Sequence, residues 1–193
     1  MKSSAGSCGR TWNALPGDGA VTSRKAAFAP VVSPGTRVLI LGSLPGNASL
    51  AASQYYANPR NRFWDLVGAV IDRPDLAALP YADRLELLLG AGIGLWDAVS
   101  SAERPGSLDS AIRAVQPTAV AELAASLPQL VAVACNGKAS SKVARPLLAQ
   151  SGLAVLDLPS SSPAHAAMAF AQKREMWLPL RQFLGSALAF TGQ

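Results

Sequence analysis

Three short segments of the chain collect glycine, polar and aromatic residues in patterns that suit ligand chemistry. Segment 42–49 (GSLPGNAS) combines glycines, which allow close approach to the backbone, with amides that can face an anion or a carbonyl. Segment 54–64 (QYYANPRNRFW) crowds tyrosines, asparagines and arginines; such rings stack on nucleic-acid bases, and arginines contact phosphates. Segment 158–166 (LPSSSPAHA) places three serines before a predicted helix, whose amino end attracts anions. Together the three segments suit a polyanion that carries bases.

Each segment also has an ordinary structural interpretation. Segment 42–49 lacks the lysine of a phosphate-binding P-loop and fits a tight turn after a strand. The aromatic pair at the end of segment 54–64 fits the core face of a helix, although a core has little use for the polar residues around it. Ser162 followed by Pro163 is a favourable helix N-cap, and His165 fits the surface of that helix. The residues alone leave both interpretations open.

The apolar runs of the chain predict strands and helices in alternation. Predicted strands cover 37–41, 92–99, 130–134 and 154–158, and predicted helices cover 61–71, 82–89, 117–127, 140–150 and a long final stretch at 163–184. This alternation predicts an α/β fold in which a mostly parallel, four-stranded sheet carries helices on both faces. Ligands of such folds bind outside the carboxyl ends of the strands.

Polar residues follow each predicted strand. Segment 42–49 follows the first strand, Asp97 ends the apolar part of the second, and Asn136 and Ser160 follow the third and fourth. Because the carboxyl ends of parallel strands meet at one edge of a sheet, we expect these residues to lie close together. An ionised carboxylate only accepts hydrogen bonds, so Asp97 would favour a ligand that donates one. The alternative is that Asp97 caps a turn near Ser100.

Composition limits the classes of function. A net charge of +5 and a pI near 9.6 favour a polyanionic partner, but residues 1–35 hold four basic residues and one acidic residue, so the remainder is only mildly basic. Two cysteines and one histidine exclude a disulfide scaffold, an all-cysteine iron–sulfur cluster and a zinc site with paired histidines. Cys135, next to an apolar run, is predicted to be an inert core residue.

One domain is expected, preceded by a tail. Residues 1–34 are rich in Gly, Ser, Ala and Pro and predict a flexible tail, with 27–32 as the lead-in to a domain at 35–193. No apolar stretch reaches the roughly 18–20 residues of a membrane-spanning helix, and the first 20 residues lack the apolar centre of a secretion signal. We therefore expect a cytoplasmic protein that does not enter a membrane.

Five segments together resemble one family in sequence and in order. They are RVLILGSLPGNASLAASQYYANPRNRFW, GIGLWDAVSSAERPGSLDSAI, ACNGKAS, LPSSSPAHA and a helix with KREMW. They resemble the hypoxanthine-DNA glycosylases, a branch of the uracil-DNA glycosylase superfamily, over about residues 28–185. The resemblance implies a three-layer α/β/α sandwich with a short central sheet. It also implies removal of a deaminated base, hypoxanthine in particular, during base excision repair.

The same resemblance implies the partners. The substrate would be double-stranded or single-stranded DNA that contains a deaminated base, bound by a monomer associated with the nucleoid. Neither a metal nor an organic cofactor is expected.

Residue roles also follow from the resemblance. A polar residue of the first superfamily motif usually holds the attacking water, but Leu44 stands there, and the catalytic asparagine of this branch corresponds to Asn61. Ser160 replaces a histidine that often donates to the departing base, and Asn58 replaces a histidine common before PRN. The assigned roles are catalytic for Asn61, Ser160 and Ser162; base-binding for Leu44, Pro45, Gly46, Tyr55, Tyr56, Asp97 and Asn136; and DNA-binding for Ser49, Arg60, Lys138, Ser161 and His165.

Two other functions remain open at this stage. The first is a glycosylase of the same superfamily that acts mainly on uracil or on several deaminated bases. The second is a nucleic-acid-binding module that kept the fold and lost the chemistry, for which Leu44 and Ser160 are the best support. A small-molecule enzyme of α/β fold is a more distant third.

Overall fold

The computed structural model describes residues 24–103, 108 and 113–185. The strands are β1 (Arg24–Ala26), β2 (Val38–Gly42), β3 (Ile93–Asp97), β4 (Val99–Glu103), β5 (Arg113–Pro117), β6 (Ala132–Asn136) and β7 (Ala154–Leu158). The α-helices are α1 (Asn47–Ala52), α2 (Phe63–Val70), α3 (Tyr81–Gly90), α4 (Val120–Ser126), α5 (Lys138–Leu147), α6 (Phe170–Trp177) and α7 (Arg181–Leu184). Two 3-10 turns lie at Leu76–Ala78 and Leu178–Leu180.

The central sheet has four parallel strands in the order β3-β2-β6-β7. This confirms the predicted sheet and the α/β class. The chain leaves β2 toward β3 on one side and later returns to β6 on the other, so the strand order reverses between β2 and β6. Such a reversal opens a crevice at the carboxyl ends of the two strands, where α/β proteins bind their ligands.

Both faces of this sheet are covered. Val38 and Ile40 of β2 face a core formed with α2, α3 and α6, whereas Leu39 and Leu41 face a core formed with α4 and α5. All four side chains are fully buried, which explains why the strand reads as a continuous apolar run. Cys135 belongs to the second core, and burial raises the pKa of its thiol to about 11, as suits an unreactive core residue.

A second sheet was not predicted. It is antiparallel, with three strands in the order β1-β4-β5. Its strand β4 has the sequence VSSAE, which lacks an apolar run, and the hydroxyl groups of Ser100 and Ser101 bond to Gln116 of β5. The turn that Asp97 was alternatively expected to cap is therefore absent, because Ser100 and Ser101 are strand residues.

The lead-in to the domain begins earlier than predicted. Arg24–Ala26 pair with β4, Val31 pairs with Leu95, and Trp96 donates its Nε1 proton to the Phe28 carbonyl at 3.0 Å. Residues 24–26 of the predicted tail thus pair with the domain, and the lead-in expected at 27–32 contacts it through Phe28 and Val31. The rest of the predicted tail, 1–23, lies outside the described residues.

The long helix expected at 163–184 is also corrected. The α-helix begins only at Phe170, and residues 163–169 form turns. In a continuous helix the His165 carbonyl would accept the Ala169 amide proton; instead it accepts from Lys173 Nζ at 2.8 Å, and the Ala169 amide donates to Gln172 Oε1. The Lys173 side chain thus occupies a carbonyl that an additional helical turn would need, and α6 begins after it. Trp177, Leu180 and Leu184 are buried, as their spacing predicted.

Within the described residues, no helix combines the length and the apolar character needed to cross a membrane.

Replacing Leu88 with Ala should lower the free energy of unfolding by about 2–5 kcal/mol, because this fully buried side chain lies where α3 packs on the sheet. Urea denaturation measures the change. Met176→Ala is the control, since the Met176 side chain of α6 is nearly half exposed; its effect should stay within about 0.5 kcal/mol. Equal effects of the two substitutions would contradict the packing described for α3.

Candidate active site

A cleft of about 410 Å³ opens at the carboxyl ends of β2, β3, β6 and β7. It lies at the reversal of strand order, where the connectivity of the sheet predicts a ligand crevice. The structure brings together here all but two of the predicted site residues, namely Leu44, Pro45, Gly46, Ser49, Tyr55, Tyr56, Arg60, Asn61, Asp97, Asn136, Ser160, Ser161 and Ser162. Phe28, from the lead-in segment, and Leu108 are among the further lining residues, and no periodic pattern marked either of them.

Lys138 and His165 do not line this cleft. Lys138 is exposed at the first turn of α5. His165 lines a smaller neighbouring cavity of about 200 Å³, together with Arg62 and Phe170. The Nδ1 atom of His165 is buried there, with no hydrogen-bond partner among the described residues. Contacts of Lys138 and His165 with DNA stay predictions.

Gly42 lets the carboxylate of Asp97 lie against the backbone of the neighbouring strand. The two residues are register partners at the ends of β2 and β3. A Cβ atom at position 42 would lie 2.6 Å from Asp97 Oδ1 and 3.1 Å from the Tyr56 hydroxyl, so only glycine fits. Asp97 is 3% exposed, and its backbone carbonyl accepts from the Thr118 hydroxyl at 2.7 Å. The cleft therefore holds a buried carboxylate at its floor.

Tyr55 and Tyr56 have different roles. Tyr55 is buried, its ring packs edge-to-face on Phe28, and its hydroxyl donates to the Ala29 carbonyl at 3.1 Å. Burial, and to a lesser extent the charge of Asp97, raises the pKa of Tyr55 well above its usual value. Tyr55 is therefore a neutral wall residue tied to the lead-in segment.

Tyr56 turns the other way because its backbone is left-handed, with φ of 54°. Its ring stacks on Phe63 with 3.7 Å between centroids, and its hydroxyl accepts from Asn136 Nδ2 at 3.2 Å. Tyr56 is only half buried. Of the two tyrosines, Tyr56 is therefore the better candidate to contact a base in the cleft.

Asn136 joins the tyrosine to the loop after β7. Its Oδ1 accepts from the Ser161 amide at 2.9 Å, and its Nδ2 donates both to Ser161 Oγ at 2.9 Å and to Tyr56. An amide side chain has two N–H donors, and here both have protein acceptors. Asn136 was predicted to bind the base; in this structure its donors hold the site together.

The loop 158–162 is fixed by its own backbone carbonyls. Those of Leu158, Pro159, Ser160, Ser161 and Ser162 accept, in order, from the Gly137 amide, Trp177 Nε1, Lys173 Nζ, the Arg62 amide and the His165 amide, at 2.8–3.1 Å. Such complete pairing leaves the loop little freedom to move. Gly137 is required beneath it, because its φ is 97° and a Cβ atom there would lie 3.0 Å from Ser160 Cβ.

The serine hydroxyls of this loop act in local turns. Ser160 Oγ accepts from the Ser162 amide, and Ser162 Oγ accepts from the Ala164 amide, both at 3.2 Å. The expected helix N-cap at Ser162 is therefore wrong, because its hydroxyl caps a turn instead. A hydroxyl that accepts one bond keeps a proton to donate, so both serines can serve as donors to a ligand.

Asn61 ends the PRN turn just before α2. The backbone amide of Asn61 donates to the Asn58 carbonyl at 2.8 Å. Its side-chain Oδ1 accepts from the backbone amide of Phe63 at 3.0 Å. The backbone donor fixes which end of the side-chain amide is oxygen. Asn61 is half buried and lines the cleft, so its Nδ2 group and the second lone pair of Oδ1 are the groups that it can offer to a water molecule.

Leu44 and Ser49 shape the cleft from the side of β2. Leu44 is buried against Val99 and Ala102. Ser49 is buried in α1, and its Oγ accepts from the Ala57 amide at 3.2 Å, which ties α1 to the segment that carries the tyrosines. A contact of Ser49 with DNA stays a prediction.

Lys173 is a site residue that the sequence reasoning missed. It is 5% exposed and donates to the carbonyls of Ser160 and His165, both at 2.8 Å. Its position four residues before the buried Trp177 puts it on the core face of α6, and this spacing was the available signal.

Within the described ranges, no group of three or more His, Cys, Asp or Glu side chains could hold a metal ion.

Replacing Gly42 with Ala should lower the free energy of unfolding by about 1–3 kcal/mol, because the new methyl group must displace Asp97 or Tyr56. Gly90→Ala is the matched control: it is the last residue of α3, nothing lies within 4 Å of its added Cβ, and stability should be unchanged or slightly raised. Thermal or urea unfolding measures both variants. A fully stable Gly42→Ala variant would contradict the close approach of Asp97.

Comparisons with known proteins identify relatives of this chain. The model of the uracil DNA glycosylase superfamily matches residues 29–181. A hypoxanthine DNA glycosylase from Methanosarcina barkeri is 39% identical over 142 residues, which is 74% of this chain and 89% of the relative. Another, from Methanosarcina acetivorans, is 38% identical over 151 residues, which is 78% of this chain and 93% of the relative.

A solved structure has the same fold. It is the solution NMR structure of a candidate uracil DNA glycosylase from Methanosarcina acetivorans, which superposes with a TM-score of 0.75 at 35% identity and covers 83% of this chain and 99% of its own. The family model spans both sides of the cleft, from the lead-in segment to α7. The chain therefore belongs to the uracil DNA glycosylase superfamily, in its hypoxanthine DNA glycosylase branch.

Proposed function

We propose that the protein is a monofunctional DNA glycosylase that removes a deaminated base, hypoxanthine in particular, by hydrolysis of its N-glycosidic bond. The observation that carries this proposal is the meeting of Asn61, Asp97 and the serines at 160–162 around one cleft. The family supports it, because the two curated relatives are named hypoxanthine DNA glycosylases.

The cleft suits a base that has left the double helix. Within a duplex the C1′ atom of the target nucleotide is out of reach, so the nucleotide must rotate out of the stack, which costs a few kcal/mol and least at mispaired bases. A volume of about 410 Å³ lies in the range of small-molecule sites. Arg60 is exposed in the middle of the cleft-lining PRN turn and is suited to contact a phosphate beside the extruded nucleotide.

Asn61 would hold the attacking water. As the bond between C1′ and the base breaks, its electron pair leaves with the base and positive charge develops on the sugar. The water oxygen then bonds to C1′, and the proton that the water loses neutralises the departing base, which leaves as a neutral molecule. The Oδ1 of Asn61, already fixed by the Phe63 amide, can accept from this water through its second lone pair. A water held in position reacts without a further loss of entropy.

Asp97 would discriminate between hypoxanthine and adenine. Hypoxanthine carries a proton on N1, whereas adenine has a bare acceptor there, so a carboxylate binds the first and repels the second by roughly 1–3 kcal/mol. The carboxylate is buried at the floor of the cleft, where competing water is scarce.

Stabilisation of the departing base falls to hydroxyl and amide donors. The cleft has no histidine among its described lining residues. Ser160 and Ser162 keep a donatable proton, and the backbone around Pro45–Gly46 lines the same cavity. Fixed donors that face the developing negative charge lower the barrier to bond cleavage.

Purified protein should convert a DNA strand that carries inosine into an alkali-labile abasic strand, and replacement of Asn61 with Ala should lower the single-turnover rate by about 100- to 1000-fold. Asn61→Ser removes the carboxamide but keeps the hydrogen bond of the turn, because a serine hydroxyl can still accept from the Phe63 amide. The Asn61→Ser variant should have the free energy of unfolding of the wild type, and its excision rate should be as low as that of Asn61→Ala.

The same assay tests the alternatives. Faster cleavage of uracil- than of inosine-containing strands would overturn the preference for hypoxanthine, and tight binding of inosine DNA without abasic product would overturn the catalytic proposal. Both duplex and single-stranded substrates belong in the comparison. The expected monomeric state stays a prediction.

Replacing Asp97 with Asn should reduce discrimination between inosine and adenosine by about 5- to 150-fold, the equivalent of about 1–3 kcal/mol. The amide offers a donor to N1 of adenine, which the carboxylate cannot do. Relative kcat/KM values on matched oligonucleotides measure the change. An unaltered substrate profile would show that Asp97 does not contact the base edge.

A further inference from the structure

Lys173 is a buried cation without a carboxylate partner in the described part of the chain. It is 5% exposed on α6, and its ammonium group donates to the carbonyls of Ser160 and His165, both at 2.8 Å. Burial of a charge is costly unless hydrogen bonds compensate for it. Burial also lowers the pKa of Lys173 from its usual value. A methionine or leucine would fill the same space at lower cost, so the charge itself calls for an explanation.

The two carbonyls lie on either side of the turn that lines the cleft. Ser160 and His165 are the ends of a six-residue stretch, and the ammonium group bridges them. Within this stretch the His165 amide also donates to the Ser162 carbonyl at 3.1 Å. Lys173 therefore closes a ring of hydrogen bonds around the serines that line the cleft, and it is itself among the residues that line the second cavity.

A chain of hydrogen bonds leads from this ammonium group to Tyr56. The peptide whose carbonyl binds Lys173 has its N–H on Ser161, which donates to Asn136 Oδ1 at 2.9 Å. Asn136 Nδ2 donates in turn to the Tyr56 hydroxyl at 3.2 Å. Because each bond polarises the next in a low-dielectric interior, a cation at one end strengthens the whole chain. The Tyr56 oxygen accepts in it, so its own proton is directed away from Asn136.

We propose that Lys173 is a positioning residue of the cleft: its ammonium group holds the loop 160–165 and, through Ser161 and Asn136, fixes the position of Tyr56 in the cleft wall. This inference rests on the proposed function, since it gives the loop a place in base excision. Lys173 would touch neither the base nor a phosphate. Its contribution lies in the rate of bond cleavage and not in the affinity for DNA.

The test is a comparison of Lys173→Met with wild type in three measurements. The single-turnover excision rate on inosine DNA should fall by about 10- to 100-fold, as for other losses of positioning groups. The affinity for duplex DNA and its salt dependence should not change, whereas loss of a phosphate contact would reduce the salt slope by about 1. Amide hydrogen exchange of the loop 160–165 should become faster, while β6 keeps its protection.

Two further variants complete the design. Lys142→Met removes the same side chain from an exposed position on α5 and should match wild type in all three measurements. Lys173→Arg keeps a cation with several donors and should recover part of the excision rate and of the exchange protection. If Lys173→Met excises at the wild-type rate, or if its loop exchanges no faster, the proposal is overturned.

Failure of the proposed function gives a different result. In that case wild-type protein leaves inosine strands intact, yet the exchange measurement still tests whether Lys173 holds the loop. A reduced salt slope would contradict the positioning role and assign Lys173 to direct phosphate binding.

Discussion

The cleft depends on the buried amide of Asn136. This side chain stands at the end of β6, where it bonds to the backbone and hydroxyl of Ser161 and to the Tyr56 hydroxyl. Each buried polar group that lost its partner would cost about 1–3 kcal/mol. Apolar packing is non-directional and would permit several arrangements of these segments. The directional hydrogen bonds of the Asn136 side chain permit a single arrangement, and they fix the distance between the loop after β7 and Tyr56.

A cleft built in this way has few groups that can move a proton. Among its described lining residues, Asp97 is the single carboxylate and Arg60 the single cation. The sequence resemblance aligns Leu44 with the residue that usually holds the water in the superfamily, and Ser160 with a histidine in many members. The proposed chemistry therefore relies on position and fixed dipoles, with Asn61 for the water and hydroxyls and amides for the base. Hypoxanthine is a better leaving group than an undamaged purine, which lessens the need for an acid.

Much of the fold was predictable from local pattern. The four parallel strands read as apolar runs because both faces of their sheet are covered, and their polar successors meet at one edge because parallel strands share a direction. The prediction was wrong where side chains from distant segments decide the backbone. Lys173 donates to the His165 carbonyl, and α6 begins after this turn. Ser100 and Ser101 belong to a strand whose hydroxyl groups bond to Gln116. The spacing on α6 places Lys173 on the core face, but neither this spacing nor any other local pattern reveals which distant groups Lys173 and the two serines bind.

The sequence by itself determined the order of the four parallel strands along the chain, the α/β class and the set of residues at the strand ends, since these follow from hydrophobic period and chain direction. Only the tertiary structure decided how those residues are used. Tyr55 is a wall and Tyr56 faces the cleft, although the two are adjacent in the chain. Asn136 holds Tyr56 from 80 residues away, and Lys173 holds Ser160 from the core side of α6. Such assignments depend on which distant hydrogen-bonding groups meet after folding, and no local pattern encodes that.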